Sequence, residues 1–354
     1  MKFEVNGHNI FLIVAVCFLS SIVFVQIMKK LALYLGIIDA PISKRKIQTK
    51  AVPLLGGVGI FMSFLLGYML FAPKNNLMLS VLIASFLLLL VGLFDDLTKK
   101  EDIKTIPSKY RLLVHLACAS IVVFYGGLEL TSVNLFGYII NFEGFSPFLT
   151  IFIIVAIINA INLIDGLDGL CAGISSIYFL TIAIIGFIVQ KYGGLDIILC
   201  LTMLGATLGY LVHNFPPASI YQGDAGSTFL GLMIAVVCLI GFKTTTITSL
   251  VVPIFMLAIP IMDTLFAIIR RKLKGQRFDQ ADKEHIHHQF LKKLSKKNSL
   301  FAIYGINIMF SITTILFVLK RTKLVVFCYV ILLFIVLFLV LKTNIIFERK
   351  NEKK

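Results

Sequence analysis

Charge is scarce in this sequence. Only 14% of the 354 residues are Asp, Glu, Lys or Arg, against 58% hydrophobic, and the mean hydropathy is +0.96. A water-soluble domain of this length could not carry that balance, so the chain is expected to be an integral membrane protein. Cysteine is sparse and unpatterned. Cys17, Cys118, Cys171, Cys200, Cys238 and Cys328 fall inside or at the edges of apolar runs, with no CxxC pair and no zinc-like spacing, and so read as small core residues. No basic stretch leads into the first apolar run and no small-residue cleavage site follows it. Lys29-Lys30 comes straight after it instead, so the run reads as a retained helix rather than a cleaved signal. There is no internal repeat and no low-complexity segment, which favours one membrane domain over 1–354.

Long apolar runs are what the chain has in quantity. A helix needs about 20 apolar residues to cross the hydrocarbon, because every backbone N–H and C=O must be paired internally there. Eleven runs qualify, near 9–28, 52–72, 77–94, 112–126, 147–164, 169–189, 195–212, 228–242, 247–269, 300–319 and 323–341. The expected fold class is therefore all-α, a polytopic membrane protein of about eleven transmembrane helices. If the connection 29–51 is inside, so are 95–111, 165–168, 213–227, 270–299 and the tail; about four in five of the 33 lysines and arginines then lie inside. Lys320-Arg321-Thr322-Lys323 runs against this bias and would be external. The net charge of +15 is explained by residues flanking helices, not by a contiguous patch for nucleic acid. Outside, 127–146 alternates around Val133, Leu135 and Tyr138-Ile139-Ile140, with Gly126-Gly127 and Gly144 as punctuation, and predicts a small external β-hairpin.

Five polar clusters end the apolar runs, and helix counting puts all five on the inner face. Arg45-Lys46 stands with Pro53-Leu54-Leu55-Gly56-Gly57. Asp95-Asp96 closes the third run and is followed by Lys99, Lys100, Lys104, Lys109 and Arg111. Read blandly this is an interfacial acidic pair; read functionally, the carboxylates suit Mg²⁺ and the cations suit anionic oxygens. Asn159, Asn162 and Asp165 recur at i, i+3, i+6 and so share one helix face, with Gly166, Asp168 and Gly169 beyond; an amide network between helices is the alternative. Gly223-Asp224-Ala225-Gly226-Ser227 opens the eighth run, where free helical N–H groups and an acid outline an anion and metal site, or where Asp224 is an ordinary N-cap. Tyr221 offers an aromatic face to a base, or an interfacial anchor. His285-Ile286-His287-His288 lies in the basic 270–299 loop, suited to phosphate contact more than to zinc. Asp263 sits one helical stripe from Arg270 and reads as a paired, structural acid.

These five strings, in this order, resemble the polyprenyl-phosphate N-acetylhexosamine-1-phosphate transferases, the WecA/TagO/MraY-type superfamily, over about 39–291. His285-Ile286-His287-His288 looks like the histidine motif of the WecA/TagO branch. The resemblance implies ten or eleven transmembrane helices with a cytoplasmic active site in a bacterial plasma membrane. It implies transfer of N-acetylhexosamine-1-phosphate, GlcNAc-1-phosphate first, from a UDP-sugar to polyprenyl (undecaprenyl) phosphate with release of UMP, starting a cell-envelope polysaccharide or teichoic acid.

Carried over residue by residue, the resemblance makes Asp224 a ligand of Mg²⁺, with Asn162 as a second contributor and Mn²⁺ as a substitute ion. Asp95 and Asp96 match an aspartate pair acting on the lipid phosphate or metal, and Asp165 and Asp168 match acids of nucleotide binding or catalysis. Tyr221 stands where an aromatic ring stacks on uracil. His285, His287 and His288 match a loop contacting the diphosphate, with His288 in a catalytic role, and Arg111 resembles a basic residue opening the fourth helix. Asn159 and Lys50 complete the substrate-binding set. Partners are then the UDP-sugar and the lipid phosphate, with no nucleic acid; a homodimer is compatible. The chain departs from the family at Gln48-Thr49-Lys50, where histidine, lysine and glycine are usual, and at Ser219 and Gln222, where lysine and methionine are frequent. A secondary transporter is the competing class, since intramembrane Asn and Asp also mark ion paths. Transporters place such residues near the midplane, whereas here they crowd one interface.

Overall fold

The computed structural model describes residues 4–5, 7–39, 51–98, 106–135, 138–189, 195–243, 255–273, 275 and 285–319, and parts of 324–335. The chain divides into two compact units, Met1–Leu250 and Val251–Lys354. In the first, a two-residue hairpin, β1 (Glu4–Val5) and β2 (His8–Asn9), leads into α1 (Ile10–Leu35), whose N-cap Asn9 accepts from the Phe11 N–H. Gly36 ends α1 in the left-handed conformation, its N–H bonding back to Ala32 and Leu33. Antiparallel β3 (Ile38–Asp39) and β4 (Val52–Pro53) bracket the segment 40–50 and bring the chain to α2 (Gly56–Phe71). Then come α3 (Asn76–Thr98), α4 (Ser108–Ser120, continued by a π turn to Tyr125), and the hairpin β5 (Ser132–Leu135) and β6 (Tyr138–Asn141). The hairpin expected over 127–146 is present, with Val133 opposite Ile140.

The unit is completed by α5 (Ser146–Ile164), α6 (Leu170–Ile188), α7 (Leu195–Asn214) and α8 (Gly223–Lys243). Its centre is α8, with 89% of its most apolar stretch buried, against 22% for α1. That contrast decides which helix is core and which faces lipid. Phe229 of α8 packs edge-on against Phe61 at 5.5 Å and against Phe64 at 5.4 Å, tying α2 to the core. The second unit holds α9 (Ala258–Leu273), the six-residue α10 (Ile286–Leu291) and α11 (Lys296–Val318).

Among the described residues eight helices are long and apolar enough to cross a membrane, and α2, at 16 residues, is shorter. The protein is all-α and polytopic. One expected run starts later than its apolar stretch, and another runs on beyond it. The second, 52–72, yields its first four residues to β4 and to Leu55, which turns at φ 87 before α2 can start. Of the ninth, 247–269, the part 247–254 lies outside the described residues; α9 has Pro260 in its first turn, where a missing N–H costs nothing, and runs on past 269 through Arg270-Arg271-Lys272. Cationic side chains in a last turn complement the helix dipole, so the polar tail extends the helix instead of ending it.

Candidate active site

The first unit gathers its site where α3 ends and α8 begins. The α-carbon of Gly92 rests against the backbone of Ala225, leaving no room for a side chain, and this close approach carries the last turn of α3 to the first turn of α8. Asp95 and Asp96, both 1% exposed, follow directly. They do different things. Asp96 accepts from the Asp224 N–H at 3.1 Å and the Ala225 N–H at 3.4 Å, so it supplies the N-terminal cap of α8 from another helix. Gly223 turns at φ +68 beside it, and a Cβ there would sit on the Asp96 carboxylate. The helical N–H groups expected to be free for a ligand are thus covered by Asp96. Asp224 is correspondingly released from capping, and it projects from the first turn at 20% side-chain exposure.

Arg111 of α4 joins the two remaining acids. Its Nη1 donates to Asp224 Oδ2 at 3.0 Å and lies 3.7 Å from Asp95 Oδ2, while Asp95 Oδ1 accepts from the Ile106 N–H at 3.0 Å. These groups line a cavity with His115, Asn162 and Thr228, about 20 Å³ open to a water-sized sphere, which is room for one water or one small ion. The acids and the Asn162 amide are oxygen donors, the chemistry of a hard divalent cation. Among the described residues no three His, Cys, Asp or Glu side chains cluster tightly enough to hold an ion by themselves. Any ion here would take further oxygens from substrate or water, as Mg²⁺ sites commonly do.

The Asn159 to Asp168 string divides. Helix α5 stops at Ile164, and Asp165 leaves the helix at ψ 51, exposed, so the shared face expected for Asn159, Asn162 and Asp165 ends one residue early because the turn through Gly166 starts there. Asn159 donates to the Val155 carbonyl of its own helix at 2.7 Å. The turn 165–169 is fixed from α7: Asn214 Oδ1 accepts from the Gly169 N–H at 2.8 Å, and its Nδ2 donates to the Ile220 carbonyl at 2.9 Å. Asp168 Oδ2 accepts from the Ala218 N–H at 3.2 Å. Burial, and then the neighbouring Asp168 carboxylate, push the Tyr221 phenol well above its ordinary range, so the ring stays a neutral donor.

The Pro53 to Gly57 string serves as scaffold. The Tyr221 N–H bonds the Pro53 carbonyl at 2.9 Å, and the Gly56 and Gly57 N–H groups bond the Tyr221 and Gln222 carbonyls at 2.9 and 3.1 Å. Lys50, Arg45 and Lys46, with Lys99, Lys100 and Lys104, lie outside the described residues. His115, Thr228 and Asn214 were not singled out from sequence. His115, 7% exposed, has an Nδ1 without a hydrogen bond among the described residues, and its one signal is that it stands four positions after Arg111 on the same helix face. Asn214 gave no signal beyond being polar at the end of an apolar run.

The histidine string lies in the second unit. His285 precedes α10, and its Nδ1 is 2.8 Å from Asp263 Oδ2 in α9. Asp263 is therefore paired, as expected, with a histidine as the partner. His288 is half-buried, whereas His287 is 2% exposed with neither ring nitrogen hydrogen-bonded among the described residues. Burial, with help from His288 and His285 and against the pull of Asp263, lowers the His287 pKa from 6.5 to about 3. Between those values the unfolded chain binds a proton that the folded protein excludes, so stability falls as pH drops from about 6.5 towards 3. A His287→Leu protein is expected to lose less melting temperature between pH 7.5 and 5.5 than the wild type does. Thermal unfolding followed by circular dichroism reads this at both pH values, and at neutral pH a thiol-reactive dye serves as well, since all six cysteines are free and five are buried. Equal acid loss in both proteins would remove His287 as its source.

A glycosyl transferase family 4 model matches residues 78–242. The chain is similar to the probable undecaprenyl-phosphate N-acetylglucosaminyl 1-phosphate transferase of Bacillus subtilis (strain 168), 36% identical over 328 residues, covering 91% of this chain and 88% of that protein. It is 32% identical to the undecaprenyl-phosphate alpha-N-acetylglucosaminyl 1-phosphate transferase of Salmonella typhi, over 78% of this chain and 74% of the relative. The Haemophilus influenzae protein of the same name is 30% identical, over 78% of each.

Proposed function

This chain belongs to glycosyl transferase family 4, and from that premise we propose that it transfers N-acetylhexosamine-1-phosphate, GlcNAc-1-phosphate first, from a UDP-sugar to undecaprenyl phosphate at the cytoplasmic face of the plasma membrane. The relatives' names support undecaprenyl phosphate as the acceptor and N-acetylglucosaminyl 1-phosphate as the group moved. The observation that carries the reading is the meeting of Asp95, Arg111, Asn162 and Asp224 around one small cavity at the end of two apolar helices. A lipid acceptor is why the enzyme is embedded in a membrane.

In the proposed reaction an oxygen of the lipid phosphate attacks the sugar-bearing β-phosphorus of the UDP-sugar, the bond from that phosphorus to the UMP oxygen breaks, and UMP leaves with the electron pair. Asp224 and Asn162 would hold Mg²⁺, which offsets the charge growing on the departing UMP. Arg111 donates to phosphate oxygens from the same side, as guanidinium groups do. Proton removal contributes little, because a phosphate monoester with a second pKa of about 6 is already mostly dianionic at neutral pH. The engagement of both Asp96 oxygens by backbone N–H groups agrees with this: it suits a positioning carboxylate better than a travelling base. Asp95, Asp165, Asp168 and His288 are assigned to holding and aligning the two substrates in line, which supplies much of the rate. Tyr221 offers its ring to uracil, and Asn159, Lys50, His285 and His287 complete the substrate-binding proposal.

The test is release of UMP from UDP-GlcNAc by membranes containing the protein. Release is expected with polyprenyl phosphate and Mg²⁺ together and not when either is withheld, with Mn²⁺ substituting in part. Solute uptake without UMP release would replace this reading with that of a transporter.

A further inference from the structure

The Asp263 carboxylate is 2% exposed and has two engagements, both with the start of the histidine string. Oδ2 lies 2.8 Å from His285 Nδ1, and Oδ1 accepts the Ile286 backbone N–H at 2.7 Å. An ionised acid buried this deeply is retained only with such partners. The second bond also matters to the first. By fixing the backbone immediately after His285, it prevents the ring from swinging away from the acid. His285 is itself 5% exposed, and its ring lies parallel to that of His287, 5° between planes at 5.7 Å, which limits rotation further.

A carboxylate can only accept, so the nitrogen facing it must carry a proton. That places the proton on Nδ1 and leaves Nε2, which is bonded to no group among the described residues, as the nitrogen that meets a ligand. We propose that Asp263 is a positioning residue: it holds His285 in the Nδ1-protonated form and aims Nε2 at an anionic substrate group. When that group is a phosphate, a second proton makes the ring a cationic donor through Nε2, with Asp263 as the countercharge beneath it. The identity of the anion as the diphosphate of a UDP-sugar rests on the proposed function; the tautomer does not. A purely structural acid would need only the backbone bond, and Asp263→Asn separates the roles. Its carbonyl oxygen can still take the Ile286 N–H, but its NH₂ faces Nδ1 and drives the proton to Nε2.

Two measurements test this. The chain has six histidines, so their rings can be resolved by nitrogen-15 long-range correlation spectra of the full-length protein in detergent at about pH 8, above the ordinary histidine range, with His285→Ala assigning the ring. The wild type is expected to show His285 protonated at Nδ1, and Asp263→Asn to show it protonated at Nε2. A wild-type ring protonated at Nε2 overturns the proposal, whether or not the protein transfers sugar phosphate. The second measurement is UMP release. Asp263→Asn is expected to lose about 10- to 100-fold, the scale typical when a residue that orients a functional imidazole is replaced. The double variant Asp263→Asn/His285→Ala is expected to match His285→Ala within about threefold, because groups acting as a unit are not additive. Losses that multiply would make Asp263 independent of His285 and sink the proposal. A wild type inactive on every UDP-sugar fails the proposed function while the spectrum still decides the tautomer.

Discussion

Replacing Asp224 with Asn is expected to reduce UMP release at least about 10²- to 10³-fold, the range seen when one preorganised electrostatic contact to the reacting group is removed, while leaving the melting temperature within a few degrees of wild type. The two parts of this expectation come from one geometry. Asp224 is the acid that Asp96 frees from capping, since the Asp224 N–H is already satisfied by its neighbour's carboxylate, and so its side chain is not needed to start α8. Its ion pair with Arg111 is partly exposed, at 36% for the arginine and 20% for the acid, and such pairs add little stability. After substitution Arg111 keeps Asp95 nearby. Steady-state rates on membranes, with unfolding followed by the thiol dye, separate the two effects. Activity within tenfold of wild type would mean that Asp224 is not the charge on which the proposed site depends.

Asp96→Ala should do the reverse in proportion, with a melting temperature about 5–10 °C lower and activity lost alongside it. The two N–H groups it caps, on Asp224 and Ala225, lose their acceptor at a cost of roughly 1–3 kcal/mol each, a range that already contains the loss of the cap. Asp96→Asn keeps one acceptor and should fall between. Gly223→Ala is expected to resemble Asp96→Ala from the opposite side, because a methyl group at φ +68 displaces the same carboxylate. If Asp96→Ala melts like wild type but is inactive, the capping role is wrong and Asp96 belongs with the groups that touch substrate.

Each acid of the site was visible in the sequence as a polar break at the end of an apolar run, but its task was not. Asp95 and Asp96 are adjacent and chemically identical, yet a helix turns about 100° per residue, and only one of them can face the start of α8. Which one does is set by how α3 lies on α8, and so by the contact of Gly92 with Ala225. In the same way Asp263 stood out as a paired acid in an apolar helix, while its histidine partner 22 positions later could not be read from helical periodicity. Asn214 reaches 45 residues back to fix the turn after α5, and nothing in its neighbourhood announces that.

Membrane residence, the all-α class, the polar clusters at the run ends and the hairpin over 127–146 follow from one-dimensional pattern. The cause is local: a lipid solvent demands long apolar helices, and alternation with turn residues specifies a hairpin. The division of labour among the acids, with Asp96 capping, Asp95 and Asp224 sharing Arg111, and Asp263 holding His285, came from packing. Those pairings join segments from 16 to 128 positions apart, and no local rule encodes which helices approach closely enough to bond.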